Sequence, residues 1–209
     1  MARVLTEYSP LRHAVPEFEL GVALAPYPGQ TESGDSWAFG IKSGAPSLFA
    51  VDGLGHAPPA VSAARGAVEA FEKSDQMDCV RVMETIHRAL APTRGAAVAV
   101  ARVDRSAHLV RFSGIGNIAA ALIAEGTTKR MVSLNGTAGH VAPRLCEFTY
   151  PYTGVATVVL HSDGVSAKWD VEAYPDLTMC RPSVIAGVLS RDFRRSHDDA
   201  VIVVLRVAE

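Results

Sequence analysis

Hydrophobic residues recur along this chain at two periods, and the switches between them mark out the elements. Residues 18–26 ("FELGVALAP") alternate as a half-buried strand does. "SWAFGIKS" (36–43) and "SLFAVD" (47–52) read as two further strands joined by a Gly44-Ala45-Pro46 turn. The period then lengthens. Pro58 and Pro59 suit the first turn of a helix, where a missing N–H is no loss. Val61, Ala64, Val68 and Phe71 follow at helical spacing on one face. Met77, Val80, Met83, Ile86 and Leu90 predict a second helix, which Pro92 ends. From residue 95 the chain becomes a series of short β-type runs: "GAAVAVARVD", "AHLVRFSG", "NIAAALIAE", "KRMVSLN", "CEFTYPY" and "ATVVLHSDG". A third helix is predicted over 183–193 and a last buried strand over 200–207. The weakest stretches, 27–34 and 174–182, are too short to separate domains, so one domain over 1–209 is expected. Strands, two helices, many strands, a helix and a strand make an α+β order, with helices laid on antiparallel sheets.

Composition narrows the picture. With 48% hydrophobic and 20% charged residues, the 209-residue chain can build a sizeable core. A net charge of −2 gives no global pull toward nucleic acid or an anionic membrane. Cys79, Cys146 and Cys180 are odd in number and fit no metal-ligand spacing, so buried free thiols in a reducing compartment are expected. No apolar run reaches the ~20 residues of a membrane helix, and "MARVLTEYSP" lacks the apolar core of a signal peptide. A cytoplasmic protein is the expectation.

The chemistry lies at the strand ends. Asp52 closes "SLFAV", Asp163 closes "TVVLHS", Asp198 and Asp199 precede "AVIVVLRV", and Asp35 precedes "SWAFGI". A carboxylate beside an apolar core is costly unless it is paired or bound to a metal. Few basic residues sit in these stretches. Hard divalent cations such as Mg²⁺ or Mn²⁺ prefer oxygen ligands and would relieve the repulsion. The neighbouring Gly53 and Gly164 could let backbone approach an ion, although Asp-Gly is also a common turn pair.

"FAVDGLGHA", "VVLHSDGVSAKWD" and "DDAVIVVLRV" resemble the motifs of the metal-dependent Ser/Thr protein phosphatases, the PPM family, and most closely the small stand-alone enzymes of its SpoIIE-like branch. "GIGNIAAAL" and "NGTAGH" are similar to that branch's middle strands. The resemblance runs from "SGDSWAF" to the C-terminus. It implies a four-layer αββα sandwich, two antiparallel sheets with helices on both outer faces, and two Mn²⁺ or Mg²⁺ ions at one end. By motif, Asp52 would bridge both ions, the Gly53 carbonyl would bind one, and Asp163 and Asp198 would hold the other. Asp35 matches the N-terminal acid, acting directly or through water, and Asp199 would stand behind the ligands. The implied reaction is hydrolysis of phosphoserine or phosphothreonine by water. The implied setting is a monomeric catalytic unit acting on a phosphorylated STAS-domain protein of a bacterial partner-switching pathway. Where the branch usually has His-Gly, this chain has His56-Ala57. His56 is a candidate proton donor to the leaving alkoxide, or a residue that orients the loop or caps the next helix. His161 reads as a packing or hydrogen-bonding neighbour, and Asn117 and Asn135 as turn residues. Arg191, Arg194 and Arg195 form a basic turn that could attract phosphate or be merely solvated. Trp169 and Tyr174 suit either docking or core packing.

Two other readings share the sequence. "GDSW" (34–37), "GIGN" (114–117) and His197 mimic SGNH-type esterase blocks, with Ser36 as nucleophile, although Asp192 lies five residues before the histidine rather than three. A pseudophosphatase that binds a phosphoprotein without hydrolysing it would keep the same acids.

Overall fold

The computed structural model describes residues 3–8, 17–55, 58–76, 78–142 and 144–208. His56, Ala57 and Met77 lie outside the described residues. The elements are β1 (Arg3–Tyr8), β2 (Phe18–Ala25), β3 (Asp35–Lys42), β4 (Ala45–Gly53), α1 (Pro58–Lys73), α2 (Cys79–Leu90), β5 (Ala96–Asp104), β6 (Leu109–Ile115), β7 (Ala119–Ala124), β8 (Thr127–Met131), β9 (Phe148–Pro151), β10 (Ala156–His161), α3 (Pro182–Phe193) and β11 (Ala200–Val207).

The strands form two antiparallel sheets, one in the order β1-β2-β11-β10-β7-β8 and one in the order β3-β4-β5-β6-β9. Three apolar layers hold them. Leu48, Ala50, Phe112, Val158, Leu160, Val201 and Val203 meet between the sheets. Alternate residues of the same strands point outward, so Phe49 and Val51 pack with Phe71, Met83 and Ile86 under α1 and α2. On the other side Ala23, Val159, Ile202 and Val204 pack with Ile185 and Leu189 of α3. The result is the expected α+β, four-layer αββα sandwich. Strands β4 and β10 are covered on both faces, which is why "SLFAV" and "ATVVLH" are unbroken apolar runs rather than alternating ones. Each such fully buried Leu or Phe stabilises the fold by about 1.5–3 kcal/mol. Phe49 and Phe71 also stack, with centroids 5.1 Å apart.

The structure corrects several details. The β3–β4 hairpin turns on Ser43 and Gly44, both with positive φ (49° and 77°), the signature of a two-residue primed turn. Ala45 and Pro46 belong to β4, opposite Lys42 and Ile41. Pro46 is tolerated because β5 pairs with β4 only from Ser47 onward. Strand β1, absent from the sequence reading, adds to the edge of β2. The 174–182 stretch is no linker, since it carries a short 3₁₀ turn at Leu177–Met179 whose Leu177 is buried in the α3 layer. Of the three free cysteines Cys79 alone is buried, while Cys146 and Cys180 are half-buried. No helix among the described residues is long and apolar enough to cross a membrane.

The end of the sandwich where β5 finishes is a mixed-charge cluster. Asp78 caps α2 by accepting from the Val80 and Arg81 amides. The Arg111 guanidinium donates to Glu147 at 3.0 Å and lies 3.9 Å from Asp104. Glu147 also accepts the Cys79 amide, and the Cys79 thiol donates to the Arg111 carbonyl. Burial, reinforced by the Glu147 charge, pushes that thiol well above the ordinary cysteine range.

Candidate metal centre

The opposite end gathers acids instead. Because β3 and β4 are antiparallel, the start of one lies beside the end of the other, and Asp35 faces Asp52 directly in register. The same geometry in the second sheet puts the end of β10 beside the start of β11, with His161 opposite Ile202. Asp163 follows one strand and Asp198 and Asp199 precede the other. Asp52 lies on the face of Leu48 and Ala50, which points between the sheets. The aspartates therefore cap one end of the inter-sheet core.

Their electrostatics are those of crowded like charges. Burial, then the Asp52 charge, hold the Asp35 carboxyl well above the usual carboxylate range; Asp199 and Asp163 add to this, and only a hydrogen bond from Ser162 opposes it. Asp52 is raised to about 7, first by burial and then by the charges of Asp163 and Asp198. The close approach of the Asp163 carboxyl adds to this rise. No cation stands among the principal influences on either Asp35 or Asp52. One oxygen of Asp35, Oδ2, is buried with no hydrogen-bond partner.

An all-oxygen donor set, an orphaned buried carboxylate oxygen and acids held partly protonated fit a site for hard divalent cations. Among the described residues no three His, Cys, Asp or Glu side chains already enclose a cation. The acids turn oxygens to local donors instead. The Asn117 amide nitrogen donates to Asp163 Oδ2 at 2.7 Å, and the Tyr27 backbone N–H donates to Asp199 Oδ1 at 2.8 Å. Beneath the acids the Ser162 oxygen accepts the Val201 amide at 3.1 Å, and the same hydroxyl is the neighbour that opposes the rise of Asp35.

The sequence reading brought Asp35, Asp52, Gly53, Asp163 and Asp198 to one place, and the structure has them at the same end of the sandwich. Two residues it treated otherwise prove to touch the cluster. Asn117, read as a turn residue, bonds Asp163, and Ser162 was passed over inside "LHSDG". The signal was available: a polar residue ending an apolar strand, at the same end as the acids. The glycines have a second job. A Cβ on Gly53 would come within 2.3 Å of the Ala60 carbonyl of α1, and one on Gly164 within 1.7 Å of the Asp199 carbonyl. Both are needed for close backbone packing, whatever else approaches them.

His161 is buried and fully engaged. The Trp169 indole N–H donates to its Nε2 at 3.0 Å, so Nδ1 carries the proton and donates to the Ser162 carbonyl at 2.8 Å. Burial lowers its pKa to about 4, and the ring is neutral. Trp169 is core packing rather than a docking surface, with Arg130 stacked over its ring at 3.7 Å. The Tyr174 hydroxyl donates to Asp192, and the Arg191 guanidinium bonds the same carboxylate. That removes the esterase reading, because Asp192 is taken and no hydrogen bond joins it to Ser36 or His197 among the described residues. Ser36 lies opposite Val51, on the other face of β3 from Asp35.

A helix-flanked double sheet with aspartates capping one end is the architecture of the PPM phosphatases. No family model and no curated protein matches the sequence. Solved structures match it closely. A protein from a study of the bacterial stressosome as a modular system controlling secondary messenger signalling is 26% identical, with a TM-score of 0.83 over 90% of this chain and 98% of its own. RsbX in complex with magnesium is 17% identical, with a TM-score of 0.81 over 98% of this chain and 100% of its own. The catalytic domain of the phosphatase PstP with two manganese ions is 12% identical, with a TM-score of 0.71 over 92% and 99% of the two chains. The chain thus resembles RsbX and other PPM phosphatases across nearly its whole length.

Proposed function

We propose that the protein is a Mn²⁺- or Mg²⁺-dependent phosphatase that hydrolyses phosphoserine or phosphothreonine on a STAS-domain regulator of a bacterial partner-switching pathway. The observation that carries this reading is the convergence of acids from both sheets, with Asp35 and Asp52 opposed in register and both raised chiefly by burial and neighbouring carboxylates. In this reading Asp52 would bridge two ions, the Gly53 carbonyl would serve one, and Asp163 and Asp198 would hold the other, with Asp35 direct or through water. Bound there, the ions would supply an acidified water as nucleophile and offset charge on the phosphoryl oxygens. The chain's own part is to hold those oxygens in place. Asn117 orients Asp163, Ser162 orients Asp35, and Asp199 fixes the loop that leads into Asp35 through the Tyr27 amide. His161 moves no proton, since both ring nitrogens are occupied. The stressosome neighbour supports the STAS-domain substrate class.

The test is release of phosphate from p-nitrophenyl phosphate, and from a phosphorylated STAS protein of the same genome, with Mn²⁺ and with chelator. Hydrolysis in Mn²⁺ that chelator abolishes is expected. Tight binding of the phosphoprotein with no turnover would instead support a pseudophosphatase. Turnover of the small substrate alone would remove the STAS proposal and keep the phosphatase.

A further inference from the structure

The pairing of β4 with β5 does not stop at Asp52. The Leu54 amide donates to the Gly95 carbonyl at 3.0 Å, which carries the ladder into the loop beyond the acids. This brings Arg94, in the turn before β5, alongside Gly55. A Cβ at Gly55 would lie 3.0 Å from one terminal guanidinium nitrogen of Arg94 and 3.9 Å from its Cζ, so the guanidinium lies across the bare face of the glycine. Gly55 also has φ +90°, which disfavours any side chain there. The loop that follows Asp52 therefore keeps a clear seat for one arginine at the lip of the acid cluster.

That arginine has no other work. It is exposed and, among the described residues, forms no hydrogen bond or ion pair. Other arginines are committed: Arg65 to Glu32, Arg191 to Asp192, and Arg194 to the Pro26 carbonyl at 3.4 Å. Arg195 lies on the far lip, where its amide donates to the Gly164 carbonyl.

We propose that Arg94 anchors the phosphoryl group of the substrate, its forked N–H donors taking two non-bridging oxygens that stay on phosphorus as the ester oxygen departs with the serine or threonine. This rests on the phosphatase reading above. A phosphomonoester arrives with a charge of roughly −1.5 to −2. A fixed cation at the entrance would offset that charge, and Arg94 is seated against Gly55 there.

Arg94→Ala, Arg94→Lys and Arg195→Ala, as full chains loaded with Mn²⁺, give the test. The probes are p-nitrophenyl phosphate for kinetics and, for calorimetric binding, a phosphoserine peptide whose ester oxygen is replaced by a non-hydrolysable methylene group. In Arg94→Ala, KM and the dissociation constant of the peptide should rise about 10- to 100-fold. Mn²⁺ affinity and melting temperature should match those of the parent protein. Arg94→Lys should restore part of the loss, and Arg195→Ala should change KM less than about threefold. Parent-like binding by Arg94→Ala in an active enzyme overturns the anchor. An equal loss in Arg195→Ala overturns it too, because the effect would then be the general field of the rim. If the parent protein neither hydrolyses the ester with Mn²⁺ nor binds the peptide, the phosphatase reading itself fails.

Discussion

The two ends of the sandwich treat buried and half-buried acids in opposite ways. Where β5 ends, Asp104 and Glu147 stand beside Arg111, and hydrogen bonds from Ser106 and then the Ala107 amide hold Asp104 below the usual carboxylate range. Where β5 begins, burial and neighbouring aspartates push Asp35 and Asp52 up. The same sheets frame both clusters, so the difference is one of partners and not of scaffold. The first end is complete within the chain. At the second, burial and like charge work against ionisation of Asp35 and Asp52, a cost that the proposed cations would offset.

The sharpest way to break this contrast is Asp52→Asn. With the proposed bridging carboxylate gone, Mn²⁺-dependent turnover should fall by about a thousandfold or more. Denaturation without metal at pH 8 should show the variant equal to or more stable than the parent, because one crowded charge is gone. Near-normal turnover would refute the assignment.

Next in size is pH. Asp52 has a folded pKa of about 7, above its unfolded value, so the protonated form is favoured by folding. Its stabilising contribution is full only below its unfolded value of 3.8 and is lost progressively as pH rises from there through about 7. Metal-free protein should therefore lose about 2–4 kcal/mol of stability between pH 5 and pH 8. His161 acts at the other limb. Its folded pKa of about 4 is below the unfolded value, so its contribution holds at neutral pH and fades as pH falls toward 4. Urea denaturation across pH, with and without Mn²⁺, checks both. Saturating Mn²⁺ should flatten or reverse the alkaline loss.

A smaller effect is expected of Asn117→Ala, which removes the donor to Asp163 and should weaken Mn²⁺ binding about 10- to 100-fold by calorimetry. Smallest is Glu147→Gln at the balanced end. Its arginine partner is about one-third exposed, with a side-chain accessibility of 35%, so the loss should be about 1 kcal/mol or less, with turnover and Mn²⁺ affinity unchanged. A large fall in metal affinity there would erase the distinction between the ends.

Much of this arrangement was legible before folding. An acid that ends an unbroken apolar run, as Asp52 and Asp163 do, marks a strand end beside a core, and the antiparallel order of the strands gathers those ends. What escaped depends on contacts between distant segments. Asn117 looks like any residue in a Gly-rich turn until the β6–β7 turn meets the end of β10. Arg94 looks like a solvated turn residue until β4 and β5 continue their pairing past Asp52. Strand β1 gains its identity only from the edge of β2. The roles of Gly53 and Gly164 were half seen: glycine does serve close approach, but the approaching groups include the carbonyls of Ala60 and Asp199.

Cys79 offers a use that its burial alone defines. Its sulfur sits beneath the first turn of α2, bonded to the Arg111 carbonyl and shielded by Glu147. A thiol so placed cannot meet an alkylating reagent until the helix lifts from the sheet, whereas Cys146 and Cys180 are partly accessible throughout. Its labelling rate would clock the opening of this corner of the protein, far from the acids and with no engineered probe.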